Sequence, residues 1–282
     1  FDLPLRYDFE HYELNETGKY QVFFEETQGT ALFKQYIWAS GNSGFALTGV
    51  GRNPQEYPTV SIENGIDGSR AIKLETKSIG QFGETVKMPI AAGNLFLGSF
   101  DVNNAVQKPL KATRFGLPFG KKPLQLKGYY KYTPGTQPFK AKDKNGNTVT
   151  IPGQEDEGDI YAVLYEAAEL DGQALDGNNV LTSENIVALA RVEVEKKDEF
   201  TAFHVDFHYE SRIPIDWPKF IQDQRDPSDD GTAPYLSFSE EKMKNYEYNL
   251  AVVFTSSKYG AYFAGSVGST LCIDKVEIVC EK

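Results

Sequence analysis

The chain has 282 residues, 40% hydrophobic and 13% aromatic, enough to bury a sizeable core as one large domain or two small ones. A formal net charge of −11 argues against nucleic acid, whose phosphates need a basic footprint, and against an anionic membrane surface. No apolar run reaches the ~18 residues of a membrane-spanning helix, so no transmembrane segment is expected.

Leu5 to Glu10 reads as a first strand, with Leu5, Tyr7 and Phe9 on one parity and Asp8 and Glu10 on the other. Residues 11–58 are mixed. Phe23-Phe24 and Leu32-Phe33 are apolar, while Ser40–Gly44 and Gly49–Pro54 are rich in turn formers. Trp38 precedes the turn Ala39-Ser40-Gly41-Asn42, where it can stack on a sugar ring or anchor a sheet to its loop. Asn64–Arg70 is a polar, glycine-bearing loop leading into a strand from Ala71 to Thr76, and a strand pair is expected between Ala91 and Val102.

Leu124 to Tyr132 is the clearest strand. Leu124, Leu126, Tyr130 and Tyr132 share one face, and Gln125, Lys127, Tyr129 and Lys131 the other. Tyr129 and Lys131 can line a groove for a hydroxyl-rich ligand, or form an ordinary solvated face. Residues 133–159 read as a loop insertion with a protruding hairpin at Asn145-Gly146. They end in the acidic run Glu155–Asp159, which can bind calcium or simply be solvated. Ile160 to Ala167 is apolar on both faces, as in a central sandwich strand. Asp171–Asn179 is a further insertion, and strands follow at Val187–Val194 and Phe200–Tyr209.

His204-Val205-Asp206-Phe207-His208 puts His204, Asp206 and His208 on one strand face. The outer pair spans roughly 13 Å at ~3.3 Å per residue, so the three cannot converge on one zinc. His204 and Asp206 remain candidates for sugar hydroxyls. A second insertion, near 211–245, carries Trp217 and ends in a short helix, Ser239–Asn245, capped by Ser239; it is expected to be the only helix.

The chain closes on two strands, with Leu250, Val252 and Phe254 alternating in the first. In the second, Leu271 and Ile273 fall on one parity and Val276, Ile278 and Cys280 on the other. Parity changes only through a bulge or a break, which places one at Asp274-Lys275. Asp274 there can act as an oxygen ligand or as a turn former. Cys272 and Cys280 would lie roughly 26 Å apart on one strand at ~3.3 Å per residue and so cannot pair. Nucleophile elbows, phosphate-cradling loops and dinucleotide fingerprints are missing, and no strand-borne carboxylate pair of glycosidase type stands out.

Several segments, in order, resemble the bacterial "putative carbohydrate metabolism domain" family. They are Trp38–Asn42, Ala91–Phe96, Phe115–Phe119, Leu126–Tyr132, Ser256–Gly260, Gly268–Leu271 and Ile273-Asp274. The resemblance implies a jelly-roll β-sandwich of galactose-binding-like type, exported by a Gram-negative anaerobe, extracytoplasmic at the cell surface or in the periplasm, with a carbohydrate partner. It also implies a structural calcium where Phe9-Glu10 meets the last strand, with Glu10, Asp67, Ser69 and Asp274 as ligands. The family offers no agreed active site to carry over.

The expectation is therefore an all-β jelly-roll sandwich, one elaborated domain over 1–282, acting as an exported glycan-binding module. A glycoside hydrolase or lyase on the same scaffold and a non-catalytic adhesion module are the alternatives. Calcium is the only cofactor expected. The start at Phe1, without methionine, is what a trimmed chain is expected to show, so the missing signal peptide says nothing of compartment. Whether Trp38, Tyr129 and Trp217 face one groove is the question a structure decides.

Overall fold

The structure is a computed structural model and describes residues 2–27, 33–171 and 173–282. Leu32 of the Leu32-Phe33 pair and Gly172 of the Asp171–Asn179 insertion fall outside them. The first third of the chain forms β1 (Arg6–Tyr7), β2 (His11–Leu14), β3 (Gln21–Thr27), β4 (Phe33–Gln35), β5 (Trp38–Ala39), α1 (Asn42–Ala46), β6 (Thr59–Ile62), β7 (Ala71–Glu75), α2 (Gly80–Val86) and β8 (Asn94–Phe100). The middle adds β9 (Thr113–Phe115), β10 (Leu117–Pro118), β11 (Pro123–Thr133), β12 (Lys140–Lys142), β13 (Thr148–Thr150) and β14 (Asp159–Glu166). The remainder is β15 (Ile186–Val192), β16 (Lys197–Asp206), α3 (Lys219–Gln222), α4 (Glu240–Lys244), β17 (Tyr248–Thr255) and β18 (Thr270–Cys280).

Two antiparallel sheets face each other as a jelly-roll β-sandwich. One runs β16-β11-β18-β7-β6, with β1 also on β18; the other runs β15-β14-β17-β8-β5, with β9 on β8 and β10 on β17. Period-2 patterning builds the interface. Leu74, Leu126, Leu271 and Ile273 from the first sheet meet Leu95, Leu164, Leu250 and Phe254 from the second, each 0% exposed. Each such side chain contributes about 1.5–3 kcal/mol of burial.

β14 is buried along all eight residues because its second face is also covered. There Phe96, Phe115, Tyr161, Val163, Leu189 and Val253 make a smaller core on the back of the second sheet. Loops must roof that core, and they form the site described below.

The bulge falls where parity required it. The β11–β18 register slips between Lys127↔Glu277 and Tyr129↔Asp274, and Lys275 takes φ +48°. The hairpin around Asn145-Gly146 is β12–β13, and Ser239 caps α4 by accepting from the Lys242 amide. Both cysteines are free.

Other expectations need correction. The first strand is two residues, because Phe9 at φ +56° turns the chain before β2 begins. Ala91–Val102 holds one strand, β8, rather than a pair; Asp101 instead caps a short turn by accepting from Asn103 N–H. Leu124 is 38% exposed rather than on the buried face. α4 is not the only helix, since α1, α2 and α3 also form, each too short to show a helical period in sequence.

Candidate functional site

Trp38 is not at a solvent-facing loop edge. It lies in β5, 7% exposed, edge-on to Tyr7 at 5.1 Å and tilted against Phe9 and Phe254. Its indole N–H donates to Glu25 Oε1 at 3.0 Å. A ring so enclosed offers no face to a sugar, so its role is to anchor the sheet.

Tyr129, Lys131, His204 and Asp206 do share a surface, the outer face of the first sheet. Register sets Tyr129 opposite Ala202, Lys127 opposite His204 and Gln125 opposite Asp206. Gln125 Nε2 donates to Asp206 at 2.9 Å, and Lys131 Nζ sits 5.0 Å over the Phe200 ring. Tyr129 and Lys131 are half-buried there, and His204 and Asp206 are exposed. Trp217 lies over the opposite sheet. The structure thus divides Trp38, Tyr129 and Trp217 among the interior, one outer face and the other.

Three of the four calcium candidates gather at the 65–70 turn. Asp274, 0% exposed, accepts from Ile66 N–H at 2.8 Å and Ser69 Oγ–H at 2.9 Å through Oδ2, and from Lys275 N–H at 2.8 Å through Oδ1. Glu10 accepts the Arg70 amide. Burial pushes the Asp274 carboxyl above its usual range, and the negative charge of Glu10 adds to the push. Glu10 and Asp274 set hard carboxylate oxygens at one turn, the ligand chemistry a calcium ion would take. Asp67 does not join them: its side chain is 87% exposed, with Lys275 Nζ at 3.7 Å. Among the described residues no three His, Cys, Asp or Glu side chains gather to hold a metal.

The principal concavity is a cleft on the back of the second sheet, with a cavity volume near 190 Å³. That is more than ten times the ~10–15 Å³ one water needs. Its floor is Arg191 on β15, Asp159 and Tyr161 on β14, Val253 and Thr255 on β17, and Asn94 and Phe96 on β8. Trp217, Tyr259 and Tyr262 stand over one end, with Trp217 6.5 Å from Tyr259 and 6.4 Å from Tyr262, centroid to centroid. The Arg225 guanidinium lies 4.2 Å above the Trp217 ring, donates to Tyr262 Oη and pairs with Asp229 at 3.2 Å, so it fixes the ring. Trp217 Nε1 is sealed off with no partner among the described residues.

Electrostatics at the floor are set by one ion pair. Arg191 donates twice to Asp159, Nε at 3.1 Å and Nη2 at 2.7 Å, and only 4% of the Asp159 side chain is exposed. Asp159 is the one acidic residue among the described residues lining the cleft. Burial, with Glu157 adding, pushes the Tyr259 hydroxyl up to about 12, so it stays a neutral donor and acceptor.

Beside the cleft lies a buried knot that pattern reading treated as solvated loop. Asp156, 3% exposed, accepts through Oδ2 from Ser257 Oγ at 2.6 Å, Ser269 Oγ at 2.7 Å and Ser266 N–H at 2.9 Å. Thr76 Oγ1 bonds Ser256 and Ser257, and Gly93 N–H donates to Ser256 Oγ. Burial raises the Asp156 carboxyl above its ordinary range. Asp156 and Asp159 were both missed as ordered residues. Their signal was small: Ser257 and Ser269 for the hydroxyls that a buried Asp156 needs, and Arg191 for Asp159.

Fold and cleft together define a jelly-roll β-sandwich with a ligand-sized cavity on the back of one sheet. The chain matches the family model described as "putative carbohydrate metabolism domain" over residues 8–279 and belongs to that family, so it is a carbohydrate-related domain. Among the solved structures similar to it are two from Bacteroides. One is titled a putative glycoside hydrolase from Bacteroides thetaiotaomicron, 41% identical, TM-score 0.80, covering 100% of this chain and 72% of that one. The other, titled a putative glycoside hydrolase from Bacteroides vulgatus, is 34% identical, TM-score 0.77, covering 99% of each chain. No curated protein matches.

Proposed function

We propose that the protein is an exported bacterial glycan-binding module that takes its sugar in the cleft over β15, β14, β17 and β8. The carrying observation is the pairing of an aromatic wall, Trp217, Tyr259 and Tyr262, with the Arg191–Asp159 floor. The apolar face of a pyranose packs on rings, and hydroxyls exchange bonds with charged and phenolic groups. Trp217 is the one ligand candidate from the sequence that lines this cleft. Tyr129, Lys131, His204 and Asp206 form a face with no enclosing wall among the described residues, and serve better as a solvated surface.

Hydrolysis is the second reading, supported by the titles of the two Bacteroides structures. A glycosidase needs two carboxylates about 5–9.5 Å apart, one of them free to carry a proton. Here the lining holds one, and Arg191 occupies both of its oxygens. That supports binding without bond cleavage. The deciding experiment is calorimetric titration with a panel of plant and host oligosaccharides, alongside a reducing-end assay. Binding weakened tenfold or more in Trp217→Ala, with no reducing ends released, is expected. No binding to any oligosaccharide removes the proposal; release of reducing ends replaces it with hydrolysis. Export predicts that the native protein fractionates with periplasm or cell surface, and cytoplasmic recovery would overturn that part.

A further inference from the structure

The cleft changes character along its length. Across the sheet order β15-β14-β17-β8-β5, strands ~4.8 Å apart carry the lining from charge to hydrocarbon. At the β15–β14 end stand Arg191, Asp159 and the Tyr259/Tyr262 hydroxyls; Arg191 gives Nε and Nη2 to Asp159, and Lys258 adds a second cation to the lining. On and beyond β8 the wall includes Phe45, Ile79, Phe82, Met88, Phe100 and Val106, with Thr48 and Thr113 as its hydroxyls. None of the six apolar side chains has a nitrogen or oxygen.

That far wall is assembled from separate pieces that approach closely. A Cβ on Gly44 of α1 would lie 3.2 Å from the Phe100 ring, and one on Gly80 of α2 would lie 3.4 Å from Val50. Phe82 and Phe100 remain half-buried, and Val106 is 37% exposed. Apolar surface lining a ligand-sized cavity, continuous with a polar end, fits a ligand with the same division. An unsubstituted glycan would set part of its hydroxyls against these six apolar side chains, at about 1–3 kcal/mol for each one left unpaired.

We propose that the ligand is a sugar bearing an apolar aryl or acyl substituent, its ring at the Trp217–Arg191 end and its substituent against Phe82, Phe100 and Val106. This rests on the glycan reading of the same cleft.

Matched pairs test it: methyl and 4-nitrophenyl glycosides of glucose, galactose, mannose and xylose, with 4-nitrophenol and cellobiose as controls, titrated calorimetrically into the intact chain. At least one 4-nitrophenyl glycoside is expected to bind tenfold or more tighter than its methyl partner. Val106→Asp, at a surface position, and Phe82→Ala, each checked for an unchanged melting temperature, should erase that gain while leaving the methyl glycoside's affinity alone. Trp217→Ala should weaken both members of a pair. Equal affinities within every pair, or a gain that both variants retain, overturn the substituent proposal and leave glycan binding standing. Binding of 4-nitrophenol with no glycoside preferred overturns glycan binding itself. No binding by any probe overturns both.

Discussion

Replacing Glu25 with glutamine tests whether the carboxyl that anchors Trp38 takes up charge inside the sandwich. Glu25 is 5% exposed on β3 and accepts the Trp38 indole N–H at 3.0 Å. Burial pushes its carboxyl from 4.5 up to about 7, against the pull of the Trp38 indole and the Asp8 and Phe9 amides. A carboxyl raised in the folded state binds a proton more readily there than in the unfolded chain. Stability is therefore full below about pH 4.5 and is lost as pH rises through about 7. Two and a half units at about 1.4 kcal/mol each put the loss near 3 kcal/mol by pH 8.5. The substituted amide keeps an oxygen for the indole and carries no charge. Urea unfolding of wild type and Glu25→Gln at pH 4.5 and 8.5 reads the difference of differences, in which all other titrations cancel. The variant should gain roughly 3 kcal/mol on wild type between the two pH values. An advantage that does not grow with pH refutes the reasoning, because Glu25 would then not be charging inside the sandwich.

Other outcomes follow from the same geometry. Arg191→Met strands Asp159 with 4% exposure and should cost about 3–5 kcal/mol, read as a fall in melting temperature, whereas Asp159→Asn with Arg191→Met should recover part of it. Asp156→Ala leaves two serine hydroxyls and the Ser266 amide without their acceptor, and is expected to lower urea stability by about 3 kcal/mol or more. Gly98→Ala places a methyl on the Arg114 carbonyl oxygen at φ +140° and should abolish soluble expression. Calcium is proposed at the Glu10–Asp274 turn: the melting temperature in millimolar calcium should exceed that in chelator, and Asp274→Asn should remove the difference. An equal melting temperature in both would sink that assignment.

The sandwich was legible because its strands are two-faced. Leu126, Tyr130 and Tyr132 alternate with Lys127, Tyr129 and Lys131, and the faces sort by polarity without knowledge of their partners. The bulge was legible for the same reason, since Leu271/Ile273 and Val276/Ile278 must all reach one core. The cleft was not. Its lining comes from segments as far apart as Phe45, Ile79, Val106, Arg191 and Trp217, and no local pattern marks residues that meet only through the sheet order. Trp38 misled because a tryptophan before a turn looks the same whether it faces water or Phe254.

Four of the segments that carried the family resemblance reach the cleft wall, through Gly41, Asn94, Phe115 and Tyr259, and the same stretch of chain also holds the frame beside it. Ser256 and Ser257, Ser269, Gly93 and Thr76 close the hydroxyl knot on Asp156, and Tyr132 donates to the Ser256 carbonyl at 3.0 Å. Gly135 has no room for a side chain there, with a Cβ falling 2.7 Å from Ser269 N. The knot ties β17 and the approach to β18 to the end of β7, so it sets where Lys258, Tyr259 and Gly260 enter the cleft wall. Buried hydroxyls and a carboxylate tolerate little substitution because each loss leaves the rest unpaired. Cleft residues such as Phe82 and Val106 carry no such constraint. Under the glycan reading proposed above, ligand preference would then follow wall residues such as Phe82, Val106, Arg191 and Trp217 rather than the Asp156 knot.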